Sequence, residues 1–245
     1  MKQRSPLYFA WRRFAANKAA VLSGTVLATL ILMAVFAPLI TKTGYEAQDF
    51  LTQSLAFPSA EFWFGIDDLG RDFFTRIVYG ARVSLTIGFT AALFSVVIGI
   101  PLGALAGYYG GGWDWAVMRL IELFSVVPPL LAAMLLGALT RGGFATIVLI
   151  AALFGWVQVC LLVRAQVKAF RDKEFVRAAQ ALGASPFYII RRHLIPNSIS
   201  PNIVGFVLAI PLAMMLEASL SFLGIGVPPP TPPAGCRSPP KTMRR

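Results

Sequence analysis

The stretch VSLTIGFTAALFSVVIGIPLGALAGYY, residues 83–109, decides the fold. It carries no charged side chain and exceeds the run of about 20 apolar residues that a helix needs to cross a bilayer. Within it Gly99, Gly103 and Gly107 recur at four-residue intervals, which bares one helix face for close approach of a neighbouring backbone. Similar apolar runs lie on either side, over residues 19–40, 117–139, 144–163 and 200–223. The run 117–139 is interrupted by Pro128-Pro129, which must kink or break it, because two successive residues lack an N–H and their rings clash with preceding carbonyls. The composition agrees. Of 245 residues 57% are hydrophobic and 13% charged, with a mean hydropathy of +0.69, whereas a soluble domain is about a quarter charged. A single water-soluble domain is excluded, and the fold class read from the pattern is all-α, a polytopic membrane helix bundle with five spans.

The net charge of +11 does not indicate nucleic acid as a partner. The basic residues sit between apolar runs and form no continuous basic face with stacking aromatics. They follow the positive-inside rule instead. Residues 1–18 hold Lys2, Arg4, Arg12, Arg13 and Lys18 with no acid, and Leu7, Tyr8, Trp11 and Phe14 at near-helical spacing, which predicts a cytoplasmic N-terminal interfacial segment. The first span follows over 19–40. Residues 41–82 contain Glu46, Asp49, Glu61, Asp67, Asp68 and Asp72, so this segment belongs outside the membrane, as a small ordered cap ending in a polar turn at 65–72. The segment 164–199 carries Arg164, Lys168, Arg171, Lys173, Arg177, Arg191 and Arg192 against Asp172 and Glu174, the strongest inside signal in the chain. Counting crossings from an inside N-terminus places it inside as well. The expected location is thus the cell inner (plasma) membrane, multi-pass, with the N-terminus cytoplasmic. Cys160 lies in an apolar run and Cys236 in the tail, so no disulfide framework exists.

The segment 164–199 is the chemically distinctive one. Asp172 can cap a helix in which Phe175, Ala178, Ala179 and Leu182 share one face. Gly183 then stands where a helix commonly ends in a left-handed turn. Ser185 is a good N-cap and Pro186 a good first-turn residue for a second helix that runs to a stop at Pro196. The object predicted is a helix, a glycine hinge and a second helix. On composition alone such a basic amphipathic segment could equally lie on anionic headgroups.

Order and spacing add a resemblance. Arg177-Ala178-Ala179, then Gly183, then His193-Leu194-Ile195-Pro196 resembles the Glu-Ala-Ala … Gly … Ile-x-Leu-Pro loop of permease subunits of binding-protein-dependent ABC importers. Phe14 to Lys18, Trp63 to Asp72, Tyr79 to Leu85 and Leu216 to Gly224 are similar to the C-type permease subunit of the dipeptide, oligopeptide and nickel transporters, in family order. The resemblance covers about residues 5–230. It implies a type I ABC importer permease whose core, 83–230, contains a coupling loop at 164–199 that inserts into a cleft on the ATPase subunit. The implied partners are a homologous second permease, two ABC ATPase subunits, an external solute-binding protein and the lipid bilayer. The implied cargo is a peptide, with nickel or another small solute as the alternative. Phe175, Arg177, Ala178, Ala179, Leu182, Gly183, Ser185, Pro186 and Pro196 are the expected coupling residues.

There are departures. Arg177 stands where the loop's glutamate is usual, His193 where its isoleucine is and Ile195 where its leucine is, so no ion pair of the missing glutamate is carried over. The family continues into a final crossing, whereas Thr231 to Arg245 is Pro-, Arg- and Ser-rich. This aberrant basic tail, 231–245, leads to the expectation that the final span is lost by frameshift or truncation, with an inactive remnant as one reading.

Glu122 and Glu217 are acids within or near spans, and such acids point to a pathway or to interhelix bonding. For Glu122 a structural role is favoured, because Arg119 lies three residues before it on the same helix face and both sit near the inner boundary. His193 reads as a packing or surface residue, with no second histidine or cysteine cluster near it. No Gly-x-x-x-x-Gly-Lys-Ser/Thr phosphate loop, His-Glu-x-x-His or Gly-x-Ser-x-Gly occurs. No catalytic residue, metal site or cofactor is expected, and the chain is read as a transport subunit energised by a separate ATPase. The rival is a stand-alone ion-coupled carrier using Glu122 or Glu217, which leaves the helix–glycine–helix loop unexplained.

Overall fold

The computed structural model describes residues 6–41, 56–60, 62–67, 70–140 and 142–224, and divides the chain into two compact units, Met1–Thr86 and Ile87–Arg245. The expected basic tail, 231–245, lies outside the described residues, as do 42–55 of the expected external loop. The described residues are helical apart from turns and one isolated antiparallel bridge, Ile66 to Asp72.

In the first unit α1 (Pro6–Ala16) is followed by α2 (Lys18–Val35) and the short α3 (Ala37–Ile40). Asn17 separates the first two because its extended backbone starts a new helix and its side-chain oxygen accepts from the N–H groups of Ala19 and Ala20, at 3.1 and 3.3 Å. Phe14 closes over Gly24, where a Cβ would come within 2.9 Å of its ring.

The turn before the next span is ordered by Asp67. One of its oxygens accepts from the Arg71 N–H at 2.8 Å and the other pairs with Arg76 at 2.5 Å. Gly65 has φ +77°, and a Cβ there would stand 2.5 Å from the Ala56 carbonyl oxygen, so only glycine fits. Asp72 caps the long helix α4 (Phe73–Tyr109) by accepting from the Phe74 and Thr75 N–H groups at 3.2 and 3.3 Å. This helix starts ten residues before the expected Val83. The apolar run marks the lipid-crossing part, but Phe74 and Val78 are buried against Ala37, Met33 and Tyr79, and that packing extends the helix under the turn.

The second unit is organised around α7 (Phe144–Arg171), whose buried residues run from Ile147 to Val167. Before it come α5 (Gly111–Val126) and α6 (Pro129–Thr140), bent by 76° across Val127 and Pro128. After it come α8 (Glu174–Ala181), α9 (Pro186–Ile189), a π-helical turn (Ile190–Leu194), α10 (Ile195–Asn197) and α11 (Ile199–Phe222). On α4, Gly99, Gly103 and Gly107 lie against α7: Cβ atoms there would meet Val159, Val163 and Val167 at 2.8 to 2.9 Å, and at Gly103 also the Cys160 carbonyl oxygen at 2.5 Å. Contact this close is the means by which helices associate where lipid removes the hydrophobic drive between them. Gly88 lies in the same way against Ile210 and Met214 of α11, at 3.0 Å from each.

Among the described residues α2, α4, α7 and α11 are long and apolar enough to cross a membrane, and the bent pair α5–α6, counted as one broken span, brings the number to five. Much of their apolar surface is exposed, for example Val26 and Leu30 on α2 and Leu208, Leu212 and Met215 on α11, as suits helices whose solvent is hydrocarbon.

Candidate functional site: a helix–glycine–helix knob and the ion cluster behind it

The end of α7 passes into α8 over two residues. Asp172 does not cap α8, contrary to the sequence expectation. It ends α7 in the bridge region (φ −95°, ψ 8°), and the extended N-cap geometry (φ −75°, ψ 152°) falls on Lys173. The Asp172 carboxylate is turned outward, 3.5 Å from Arg171. The apolar stripe of α8 also differs from simple amphipathic expectation. Val176 is fully buried among Val163, Val167, Ile189, Ile190 and Leu194, with Ala179 and Phe170 packed against the same cluster. Phe175 and Leu182 point away from it, and Leu182 is 88% exposed. Of the four residues predicted to share a face, only Ala179 joins this core; Ala178, like Arg177, is exposed. The core contact is supplied by Val176, one residue round from Phe175.

α8 ends in a Schellman motif. Gly183 has φ +80°, its N–H donates to the Gln180 carbonyl at 2.9 Å, and the Ala184 N–H donates to the Ala179 carbonyl at 3.0 Å. A Cβ at Gly183 would meet nothing within 4 Å, so the demand for glycine comes from the backbone angle alone. Ser185 then caps α9, its Oγ accepting from the Tyr188 N–H at 3.3 Å, with Pro186 in the first turn.

Pro196 does not stop the second helix. The chain opens into a π-helical turn at Ile190–Leu194, in which the Ile195 N–H donates back to the Ile190 carbonyl, and continues through Pro196 to Asn197. The wider turn relieves the clash between the proline ring and the preceding carbonyls that would break an α-helix. Ile189, Ile190 and Leu194 are buried, whereas Phe187 and Tyr188 are 70% and 52% exposed. His193 sits between two rings, 5.7 Å from Tyr188 and 6.4 Å from Phe175. Phe175, Leu182, Phe187 and Tyr188 thus project from a knob whose inner face is anchored on α7. Water is a poor solvent for such a set, and a knob of large apolar side chains on a fixed base is suited to insertion into a protein cleft.

Behind the knob lies a cluster that sequence reading missed. Both oxygens of Asp114, in the first turn of α5, are held by Arg164 of α7, Nη2 to Oδ2 at 2.7 Å and Nε to Oδ1, and Lys168 adds a third contact at 3.1 Å. Arg171 donates to the Tyr108 carbonyl and Gln180 of α8 to the Tyr108 hydroxyl, each at 3.4 Å. Arg164, Lys168 and Arg171 recur at i, i+4 and i+7, so one face of α7 presents all three cations to the α4–α5 turn. That turn needs Gly110, whose φ of +67° and ψ of −156° are open only to glycine. A sequence signal existed: Asp114 is an acid just past three glycines, in the short polar turn between two apolar runs.

The two intramembrane acids separate. Glu122 is more than half exposed and pairs with Arg119 at 2.5 Å. Glu217 is 7% exposed and accepts from Ser221 Oγ at 2.7 Å. Asn202, also in α11, is buried with its Oδ1 unpartnered among the described residues, while its Nδ2 donates to Ser198 Oγ at 3.3 Å. The described residues contain no group of His, Cys, Asp and Glu side chains that could hold a metal ion.

Comparison with known proteins gives two family matches. Residues 99–235 match the binding-protein-dependent transport system inner membrane component, and residues 5–58 match the N-terminal TM domain of oligopeptide transport permease C. The dipeptide transport system permease protein DppC of Bacillus subtilis is 42% identical over 90% of this chain and 69% of its own length. The oligopeptide permease OppC of the same organism is 38% identical, over 90% of this chain and 72% of its own. The glutathione transport system permease protein GsiD of Escherichia coli is 36% identical, over 95% and 77%. Among solved structures, an inward-facing MetNI methionine ABC transporter chain aligns with a TM-score of 0.53 and 18% identity, covering 62% of this chain and 76% of that one. That likeness concerns the fold.

Proposed function

Because the chain belongs to the family of inner membrane components of binding-protein-dependent transport systems, we propose that it is one permease subunit of an ATP-driven importer and forms part of the membrane pathway for peptides delivered by a solute-binding protein. It is a transport component; ATP is hydrolysed by a separate ATPase subunit. The proposed assembly holds this chain, a homologous second permease and two ATPase subunits, with the binding protein docking from outside. The N-terminus and the α8–α9 knob lie on the cytoplasmic side, in keeping with the excess of Lys and Arg over residues 164–199.

The observation that carries this reading is the knob itself. Phe175, Leu182, Phe187 and Tyr188 are exposed on a rigid helix–Schellman–helix base that stands at the end of α7. Closure of the ATPases on ATP would push the knob, and α7 would carry that movement to the spans packed on it. Arg177, Ala178, Ala179, Ser185 and Pro186 complete the coupling loop. Peptide as cargo is supported by the relatives that carry dipeptide and oligopeptide names, and glutathione, named in a third, is itself a tripeptide. The carrier reading loses its first acid, since Glu122 is exposed and paired with Arg119.

The test is reconstitution of the complete complex in proteoliposomes with its binding protein. ATP-dependent uptake of labelled di- or tripeptide, abolished when the ATPase subunits are omitted, is the expected result. Uptake that follows a proton or sodium gradient without the ATPase would overturn the reading.

A further inference from the structure

The ion cluster on Asp114 lies where the knob meets the rest of the second unit; its cations Arg164, Lys168 and Arg171 open the 164–199 segment but stand on α7, outside the exposed α8–α9 knob. Asp114 is in the first turn of α5, and its carboxylate is 16% exposed, with Arg164 at 22%. A carboxylate gripped on both oxygens by one guanidinium has a fixed direction as well as a charge. The contacts around Asp114 draw together four elements, α4, α5, α7 and α8. Arg164 and Lys168 belong to α7, while Arg171 near the end of α7 reaches the Tyr108 carbonyl at the end of α4. The hydroxyl of the same Tyr108 accepts from Gln180 of α8. The path from α8 to α5 is thus continuous: Gln180, Tyr108, the Gly110 turn, Asp114, and α7 alongside. At its far end α5 is followed by the 76° break at Val127 and Pro128, where Pro128 and Pro129 lack the N–H groups that would continue a helix and leave a ready hinge.

We propose that the Asp114–Arg164 pair, extended by Lys168 and the Tyr108–Gln180 contact, is a positioning brace that makes the broken span α5–α6 move with the coupling helix, and so sets how much solute passes per ATP hydrolysed. The proposal rests on the importer reading above. Phe175, Leu182, Phe187 and Tyr188 form the exposed apolar set of the knob, and none of the brace residues belongs to it. Their part is to keep the α4–α5 turn attached to α7 when the knob is displaced, so that the displacement reaches the Pro128-Pro129 break instead of being absorbed at the Gly110–Gly112 turn. Without the pair the complex still assembles, because the glycine contacts of α4 on α7 use only the backbone of Arg164, not its side chain, and the cluster around Val176 contains neither partner.

The experiment uses the full complex, reconstituted with its binding protein, and measures uptake of labelled dialanine and glutathione together with phosphate release. Asp114→Asn and Arg164→Gln are each expected to lower solute moved per ATP about fivefold or more, the scale of a modest coupling free energy, with the recovered amount of assembled complex unchanged. Asp114→Glu, which keeps the charge, is expected to restore most of the ratio. An unchanged ratio in Asp114→Asn would overturn the brace while leaving the importer reading intact. A fall in recovered complex that accounts for the whole loss of uptake would also overturn it, by making the pair a folding contact only. No ATP-driven uptake by the unsubstituted complex would overturn both readings, and is seen before any variant is compared.

Discussion

Replacement of Gly183 by valine isolates the turn of the knob from everything around it. A Cβ at this position meets nothing within 4 Å, so no steric clash contributes, and the cost is that of holding a non-glycine residue at φ +80°. For an ordinary L-residue that is about 1 to 2 kcal/mol, and a β-branched side chain lies at or above the upper end. Taking about 2 kcal/mol, the balance between the Schellman turn and its alternatives shifts roughly 30-fold. The two bonds at risk are those from the Gly183 and Ala184 N–H groups, which fix the angle between α8 and α9. The core around Val176 does not depend on them, so the protein should insert and be recovered from membranes at its usual level. The assay is reconstituted uptake and ATP hydrolysis side by side: uptake should fall at least tenfold and binding-protein stimulation of the ATPase should be lost. Gly183→Asn serves as the control, because asparagine tolerates the left-handed region and should keep most of the activity. Normal coupled uptake in Gly183→Val, or equal loss in both variants, would refute the reasoning.

Three further outcomes follow from particular contacts. Gly103→Val should cost about 3 kcal/mol or more, since even its Cβ would stand 2.5 Å from the Cys160 carbonyl oxygen, a backbone atom that cannot turn aside; a detergent melt should show a large fall in midpoint, against little change for Gly112→Ala, which points into open space. Leu182→Asp should leave the melt within the equivalent of about 0.5 kcal/mol, because the side chain is 88% exposed, yet co-purification of the ATPase with the permease should be lost. Asp72→Ala removes the acceptor for the Phe74 and Thr75 N–H groups and should cost about 1 kcal/mol, read as faster proteolysis of the turn at residues 65–72.

The spans were legible in the sequence because an apolar run has no other stable place than lipid, and their centres fall where the runs lie. Their ends were not. α4 begins at Phe73 because Phe74 and Val78 find a core beneath the turn, and α7 continues to Arg171 because Val163 and Val167 are buried on one face while Arg164, Lys168 and Arg171 occupy another. Hydropathy averages the two faces and ends the span at the first charge. Gly183 and Ser185 were readable since each acts on its own neighbours, through a backbone angle and a cap. Asp172 was misread as an N-cap because the two helices are separated so narrowly that the extended residue is Lys173. Pro196 was misread as a stop because a π-helical turn cannot be seen in a residue pattern. The Asp114–Arg164 pair escaped because the partners are fifty residues apart and only the packing of α5 beside α7 joins them.

The docking of the knob on an ATPase is the claim on which the account turns. Cross-linking from Leu182→Cys, in native membranes containing the whole transporter, tests it most directly, because the position is exposed and lies next to the Gly183 turn. The account predicts an adduct with the ATPase subunit whose yield changes between nucleotide-free and ATP-bound states. A Leu182→Cys transporter that takes up peptide normally, yet gives no adduct with the ATPase in any nucleotide state, would contradict it.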